Sequence, residues 1–231
     1  MSFSVAQYQE VITRTNSELN ELPPIANAAI QRIESRYSWI PFVGGWIKDA
    51  LTKFVSLLED FLAKVESYLR SSAVPVMMWE AGNTWENIQR GAGTMAGDIK
   101  GQLQASSAQW SGIAGGAYQS GAANQVGAVQ EISGLAGTTS GSATAIAISG
   151  LGFYVAILAA VVSLAFAIAT AASGVGLAAG IVAAVIAVGA AAGLFYLGVE
   201  SHQRTLQGLV AGNSAFPGGK WPLATTSSAG H

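Results

Sequence analysis

Two stretches decide how this chain is read: LGFYVAILAAVVSLAFAIATA over Leu151–Ala171 and LAAGIVAAVIAVGAAAGLFYLG over Leu177–Gly198. Neither contains Asp, Glu, Lys, Arg or His, and the charge-free region as a whole runs from Ile132 to Val199. Each run has about 21 residues, which as a helix rises about 31 Å and matches a bilayer hydrocarbon core of about 30 Å. The first run holds ten residues of the Leu, Ile, Val and Phe set and the second holds nine. For the first, these favour insertion by roughly 3 to 6 kcal/mol before small and polar residues are counted. Ser173-Gly174-Val175-Gly176 separates the runs, and so neutral a tip crosses a membrane cheaply, leaving both chain ends on the side of origin. Tyr154 and Tyr196 stand near the outer ends of the runs, where interfacial aromatics are expected. Orientation is not encoded: Arg204 and Lys220 follow the second run, while Lys100 lies far upstream of the first. The alternative is a buried hairpin in a soluble helical protein, which needs other helices to cover both runs on all sides.

Inside lipid, helices associate through small residues. Gly176 and Gly180 give one GxxxG spacing, Gly189 and Gly193 another, and alanine fills much of the remainder. These four glycines are the expected helix-packing positions. Ser149, Ser163, Thr170 and Ser173 are the only serine or threonine residues in the first run and at its ends, so a wide polar lumen is not expected.

The composition of all 231 residues agrees. Charged residues make up 10%, against roughly 25% in an ordinary soluble domain, and hydrophobic residues reach 51%. The formal net charge is −2, so the basic patch of a nucleic-acid binder is missing. Cysteine is absent, which removes disulfide and thiolate chemistry. Met1 to Gln7 shows no basic segment followed by an apolar run, so no Sec-type signal peptide is expected there.

The first half reads as helices. Val5, Tyr8, Val11 and Ile12 recur at helical spacing after a capping Ser4, and Pro23-Pro24 is expected to stop that helix. A second helix follows over 25–37. Pro41 and the glycines at 44 and 45 mark a bend. From Trp46 to Ser71 the clearest amphipathic helix places Ile47, Leu51, Phe54, Leu58, Phe61 and Val65 on one seam, with Lys48, Asp49, Lys53, Glu59, Lys64 and Glu66 opposite. Such a seam meets another helix, either in the chain's own bundle or across a self-association interface. After Pro75 comes a helix over 76–109 with Ile88, Ala92, Met95, Ile99 and Leu103 on one side. Trp110-Ser111-Gly112 follows, then an Ala/Gly/Ser-rich helix over 113–135, and Thr138 to Ser142 reads as a polar break before the first apolar run.

Chemistry is missing from the pattern. His202 and His231 have no converging ligands, so no metal and no cofactor are expected. No phosphate-binding loop or nucleophile elbow is present, and Glu59 and Asp60 read as a solvated helix face. No catalytic residue is assigned, and an enzyme is not expected.

The Trp110-x-Gly112 turn between two helical segments resembles the WXG helical hairpin of type VII (ESX) secretion substrates, over roughly residues 76–135. In that family the glycine takes the turn and the tryptophan packs at the hairpin end. The Ile40-Pro41-Phe42-Val43-Gly44 turn, the Ala/Gly/Ser bias and the attached apolar segment look like the larger ESX-secretion-associated (Esp) proteins of mycobacteria and related actinobacteria. The family's Tyr-x-x-x-Asp/Glu export signal is matched by Tyr196 and Glu200, at the end of the second apolar run rather than directly after the hairpin.

The resulting expectation is an all-α, elongated helical bundle with a WxG helical hairpin and a C-terminal hydrophobic, transmembrane-type helical hairpin. Its divisions are N-terminal amphipathic helices (1–75), the WxG-type hairpin (76–137), the hydrophobic hairpin (138–200) and a polar tail (201–231). The resemblance implies a secreted protein of the cell envelope that inserts in or spans a membrane and self-associates as a pore, channel or assembly component. Its expected partners are membrane lipids, further copies of itself, and the ESX machinery, a chaperone or a related secreted protein. The competing expectation is a resident inner-membrane scaffold or accessory protein that is never exported.

Overall fold

The computed structural model describes residues 3–37, 43–171 and 174–211. Within them the chain is all-α, built from α1 (Val5–Tyr37), α2 (Val43–Leu69), α3 (Val74–Gln109), α4 (Ile113–Thr170) and α5 (Gly174–Ala211). It divides into two compact units. Unit 1 joins Met1–Met77 to Ile146–Val199, and unit 2 joins Met78–Ala145 to Glu200–His231.

Unit 1 is an up-and-down arrangement of α1, α2, the second part of α4 and the first part of α5. Its register follows from three sets of contacts. The rings of Tyr8 and Tyr154 meet at 5.5 Å, and Arg32 Nη2 donates to the carbonyl of Ala169 at 3.0 Å, so α1 runs parallel to α4. Tyr68, at the end of α2, meets Phe153 at 5.2 Å, so α2 runs the other way. Phe195 stacks on Phe153 at 5.4 Å while Gly180 lies against Ala167, so α5 returns antiparallel to α4. The core comprises Leu22 and Ile33 from α1, Phe54 and Phe61 from α2, Ile157 and Val161 from α4, and Leu177 and Ile181 from α5.

The two prolines do not stop the first helix. α1 continues through Pro23 and Pro24, although neither residue is able to donate to the carbonyls of Leu19 and Asn20. The reason is tertiary. Leu19, Leu22, Ala26, Ala29 and Ile33 keep one buried stripe across the break, and the exposed prolines sit on the opposite side. Each interior proline costs about 3 kcal/mol, and burial of the stripe offsets that. Pro75, by contrast, lies in the first turn of α3, where a missing N–H costs nothing. The expected bend at 38–42 lies outside the described residues, and Gly44 and Gly45 belong to α2 rather than to a turn.

The expected break at Thr138–Ser142 is also absent, since α4 runs unbroken from Ile113 to Thr170. Its polar side chains are absorbed locally. Thr138 and Thr139 hydroxyls donate to the carbonyls of Gly134 and Leu135 one turn back, and Ser140 Oγ donates to the carbonyl of Gly82 at 2.8 Å. The unit boundaries consequently fall at 77/78 and 145/146 rather than at 75/76 and 137/138. The hydrophobic hairpin expected over 138–200 is not a separate domain, because its inner face is packed against α1 and α2. The tail expected from residue 201 begins as the end of α5, up to Ala211.

Ile181 and Ile186 sit on the same helix, at 0% and 65% exposure. Ile181→Ala should lower the unfolding free energy by about 2 to 5 kcal/mol, and Ile186→Ala by about 0.5 kcal/mol or less, as measured by chemical denaturation.

Candidate functional site

The hydrophobic hairpin presents two different faces. On α4 the inner stripe is Ile157, Val161, Leu164 and Ile168, all buried at helical spacing. On α5 it is Leu177, Ile181, Ala184, Val188 and Ala192. The outer face stays apolar: Val155 and Phe166 on α4, and Val182, Ile186, Leu194 and Leu197 on α5, are exposed, Phe166 at 70%. Among the described residues of unit 1 the charges lie elsewhere, on α1, α2 and the turn that follows α2, with Arg14, Glu21, Lys53 and Lys64 among the exposed ones. Among the described residues α4 and α5 are the two helices long and apolar enough to cross a membrane, and the most apolar windows in them are only 44% and 28% buried.

The four glycines fall into different roles. A Cβ on Gly180 would lie 3.1 Å from that of Ala167, so Gly180 already serves the close approach of α5 to α4. Gly189 and Gly193 are exposed with open space beside them. The surroundings of Gly176 lie outside the described residues.

At the end of unit 1 away from the hairpin tip, a cluster of aromatics ties the layers together. Tyr8 OH donates to the carbonyl of Ser72 at 2.5 Å, and Tyr154 OH donates to that of Tyr68 at 2.8 Å. Burial, with the neighbouring Tyr154, pushes the Tyr8 hydroxyl above the ordinary tyrosine range. Tyr154 is therefore an interior residue, not the interfacial anchor expected from its place at the end of the apolar run. Its spacing to Ile157, Val161, Leu164 and Ile168 is the signal that would have shown this. Tyr196 is 62% exposed, as an interfacial residue would be.

The amphipathic seam of α2 is spent inside the chain. Ile47, Leu51, Phe54, Leu58, Phe61 and Val65 are all buried in unit 1, so they form core rather than a self-association surface. Periodicity alone does not distinguish a partner helix in the same chain from one in another.

Unit 2 contains the helical hairpin formed by the arms 78–109 and 113–145. Ser140 Oγ donates to the carbonyl of Gly82 and Ser133 Oγ to that of Gln89, and both pairs are centred on Ser111, which fixes an antiparallel register about the turn. Glycine brings the arms this close: a Cβ on Gly82 would lie 2.8 Å from Thr144 Oγ1, and one on Gly137 would lie 2.7 Å from Gln89 Nε2. Gly112 has φ +91°, a left-handed conformation that glycine adopts without strain, and its carbonyl accepts the first α4 bond from Gly116 N–H at 3.0 Å. Trp110 rests 5.7 Å from the Tyr118 ring yet remains 54% exposed, less enclosed than the resemblance implies. Along α3 the side chains of Trp85, Ile88 and Met95 are exposed as well.

Tyr196 and Glu200 are both on α5, and Glu200 pairs with Arg204 at 2.5 Å. Among the described residues no group of three His, Cys, Asp or Glu side chains forms a possible metal site. No family model matches this chain, and neither a curated protein nor a solved structure shows significant similarity to it.

Gly180→Leu should lower the unfolding free energy of the chain, because the added side chain collides with Ala167. Gly189→Leu should leave folding within about 0.5 kcal/mol of the parent while reducing oligomer size in sedimentation. Equal effects of the two variants on both readouts would remove the distinction between the glycines.

Proposed function

We propose that this chain is a non-enzymatic membrane protein of the cell envelope whose α4–α5 hairpin enters lipid and whose copies self-associate. The observation that carries this reading is the outer face of the hairpin, where Val155, Phe166, Val182, Ile186, Leu194 and Leu197 are exposed with no charge among them. Water is a poor solvent for such a face and a hydrocarbon layer is a good one. Self-association is supported by the open Gly189/Gly193 spacing and by the exposed Trp85, Ile88 and Met95 on α3. An Asp at Ile186 tests the lipid contact without touching the core. A carboxylate pressed against hydrocarbon is costly, by about 2.5 to 3.5 kcal/mol at mid-bilayer depth, so Ile186→Asp, on the face that meets lipid, should keep its helical content and reduce flotation with vesicles. Unchanged flotation would reject lipid contact through this face.

The reading extends to export through a type VII (ESX) system. Its support is the Trp110–Gly112 turn, with its positive-φ glycine between antiparallel arms, together with the Tyr196/Glu200 spacing. Glu200 is exposed and available to a receptor, and its pairing with Arg204 is a surface contact of small worth. Glu200→Gln should therefore reduce the amount of protein outside the cell, measured against total protein, without changing its fold. Normal export of that variant would leave Tyr196 as an interfacial residue. The second reading, a resident inner-membrane scaffold, is favoured if the protein stays in the inner membrane and its distribution ignores loss of the secretion machinery.

A further inference from the structure

The inner face of the hairpin and a bilayer make incompatible demands on the same residues. A hairpin that spans a membrane is surrounded by lipid or by other spanning helices. Here Ile157, Val161, Leu164 and Ile168 of α4 and Leu177, Ile181 and Val188 of α5 are covered within unit 1 by helices that cannot follow them into lipid. α1 exposes Glu10, Arg14 and Glu21, and α2 exposes Lys53, Glu59 and Lys64, spread along the lengths of both helices. Charges so distributed would stand at every depth of the hydrocarbon layer. Spanning and sheathing therefore exclude each other.

The fastenings of the sheath differ at its two ends. Away from the tip, Tyr8 and Tyr154 bond to the carbonyls of Ser72 and Tyr68, with Phe153 packed between Tyr68 and Phe195. Near the tip the polar fastening between α1 and the hairpin is exposed: Arg32 Nη2 donates to the Ala169 carbonyl, one of the last of α4. Between the two ends α1 carries Pro23-Pro24, where two backbone donors are missing in succession. The half of α1 beyond them, with Ala26, Ala29 and Ile33 against the core, covers the tip side of the hairpin.

We propose that the sheathed bundle and a spanning hairpin are alternative states of unit 1, and that the switch between them is release of α1 beyond Pro23-Pro24, with rupture of the Arg32–Ala169 contact. This rests on the membrane reading above and adds its regulation. In the sheathed state the outer face of the hairpin meets a lipid surface without insertion. When α1 swings away at the prolines, the neutral tip and the inner face become free to enter.

The absence of cysteine makes a clean test possible in the full chain. Arg32→Cys and Ala169→Cys, both at exposed positions, are joined by a reducible bis-maleimide. Two readouts are taken on vesicles of phosphatidylcholine and phosphatidylglycerol: flotation at neutral pH for association, and resistance to alkaline carbonate for insertion. The bridged protein should float as well as the reduced one but lose carbonate resistance, and reduction of the bridge should restore it. Equal carbonate resistance before and after reduction would overturn the switch while leaving the membrane reading intact. Failure of the reduced protein to float would instead defeat the membrane reading and the switch with it. Pro23→Ala/Pro24→Ala supplies a second arm, expected to insert more slowly at unchanged flotation; an unchanged insertion rate would overturn the prolines' part as hinge.

Discussion

Everything in unit 1 follows from one pairing, the burial of the inner stripe of an uncharged helical hairpin against the apolar stripes of two amphipathic helices. From Ile132 to Val199 the chain has no charge with which to face water. Its hairpin therefore needs a partner on each side. α1 and α2 provide one, because their apolar residues form continuous stripes and their charges lie opposite. Among the described residues no element of unit 1 provides the other, and the outer face is left apolar. Among the described residues unit 1 sets two amphipathic helices against two long apolar ones.

Much of this was legible in the sequence. The all-α class, the pair of apolar helices and the helical hairpin about Ser111 all follow from periodicity, run length and the placement of glycine and proline. What was not legible depended on tertiary contact. Pro23 and Pro24 carry the local signature of a helix end, and only the shared stripe from Leu19 to Ile33 explains why α1 passes through them. Thr138 to Ser142 have the composition of a loop, yet their hydroxyls find carbonyls on the preceding turn and on Gly82. The seam from Ile47 to Val65 announces a partner helix without saying whose. The four glycines look alike in sequence, and only the position of Ala167 separates Gly180 from Gly189 and Gly193.

The aromatic cluster illustrates how position in sequence misleads about position in space. Tyr154 and Tyr196 are placed almost symmetrically at the outer ends of the two apolar runs, and an interfacial role suits both equally. The hairpin rotates one inward and one outward. Tyr154 joins the stripe that faces α1 and α2, so its hydroxyl must be satisfied by protein and finds the Tyr68 carbonyl. Tyr196 points away from that stripe. A tyrosine suits either fate because its ring is apolar and its hydroxyl needs a single partner, which water or a carbonyl provides.

The two units solve the problem of helix contact in different ways, and the difference bears on function. Unit 2 zips its arms with alanine, glycine and serine, and its bonds from Ser133 and Ser140 to backbone carbonyls are directional. Such contacts fix one register and release little apolar surface when they open. Unit 1 instead joins hairpin to sheath through large aliphatic and aromatic side chains, with polar fastenings from Tyr154 and Arg32 towards its two ends. Burial of this kind is non-directional, and hydrocarbon tails replace it far more readily than they replace a hydrogen-bonded zipper. A chain that exchanges protein for lipid around its apolar helices needs the first kind of contact to hold its shape and the second kind to be given up. In this molecule the two kinds are kept in separate units.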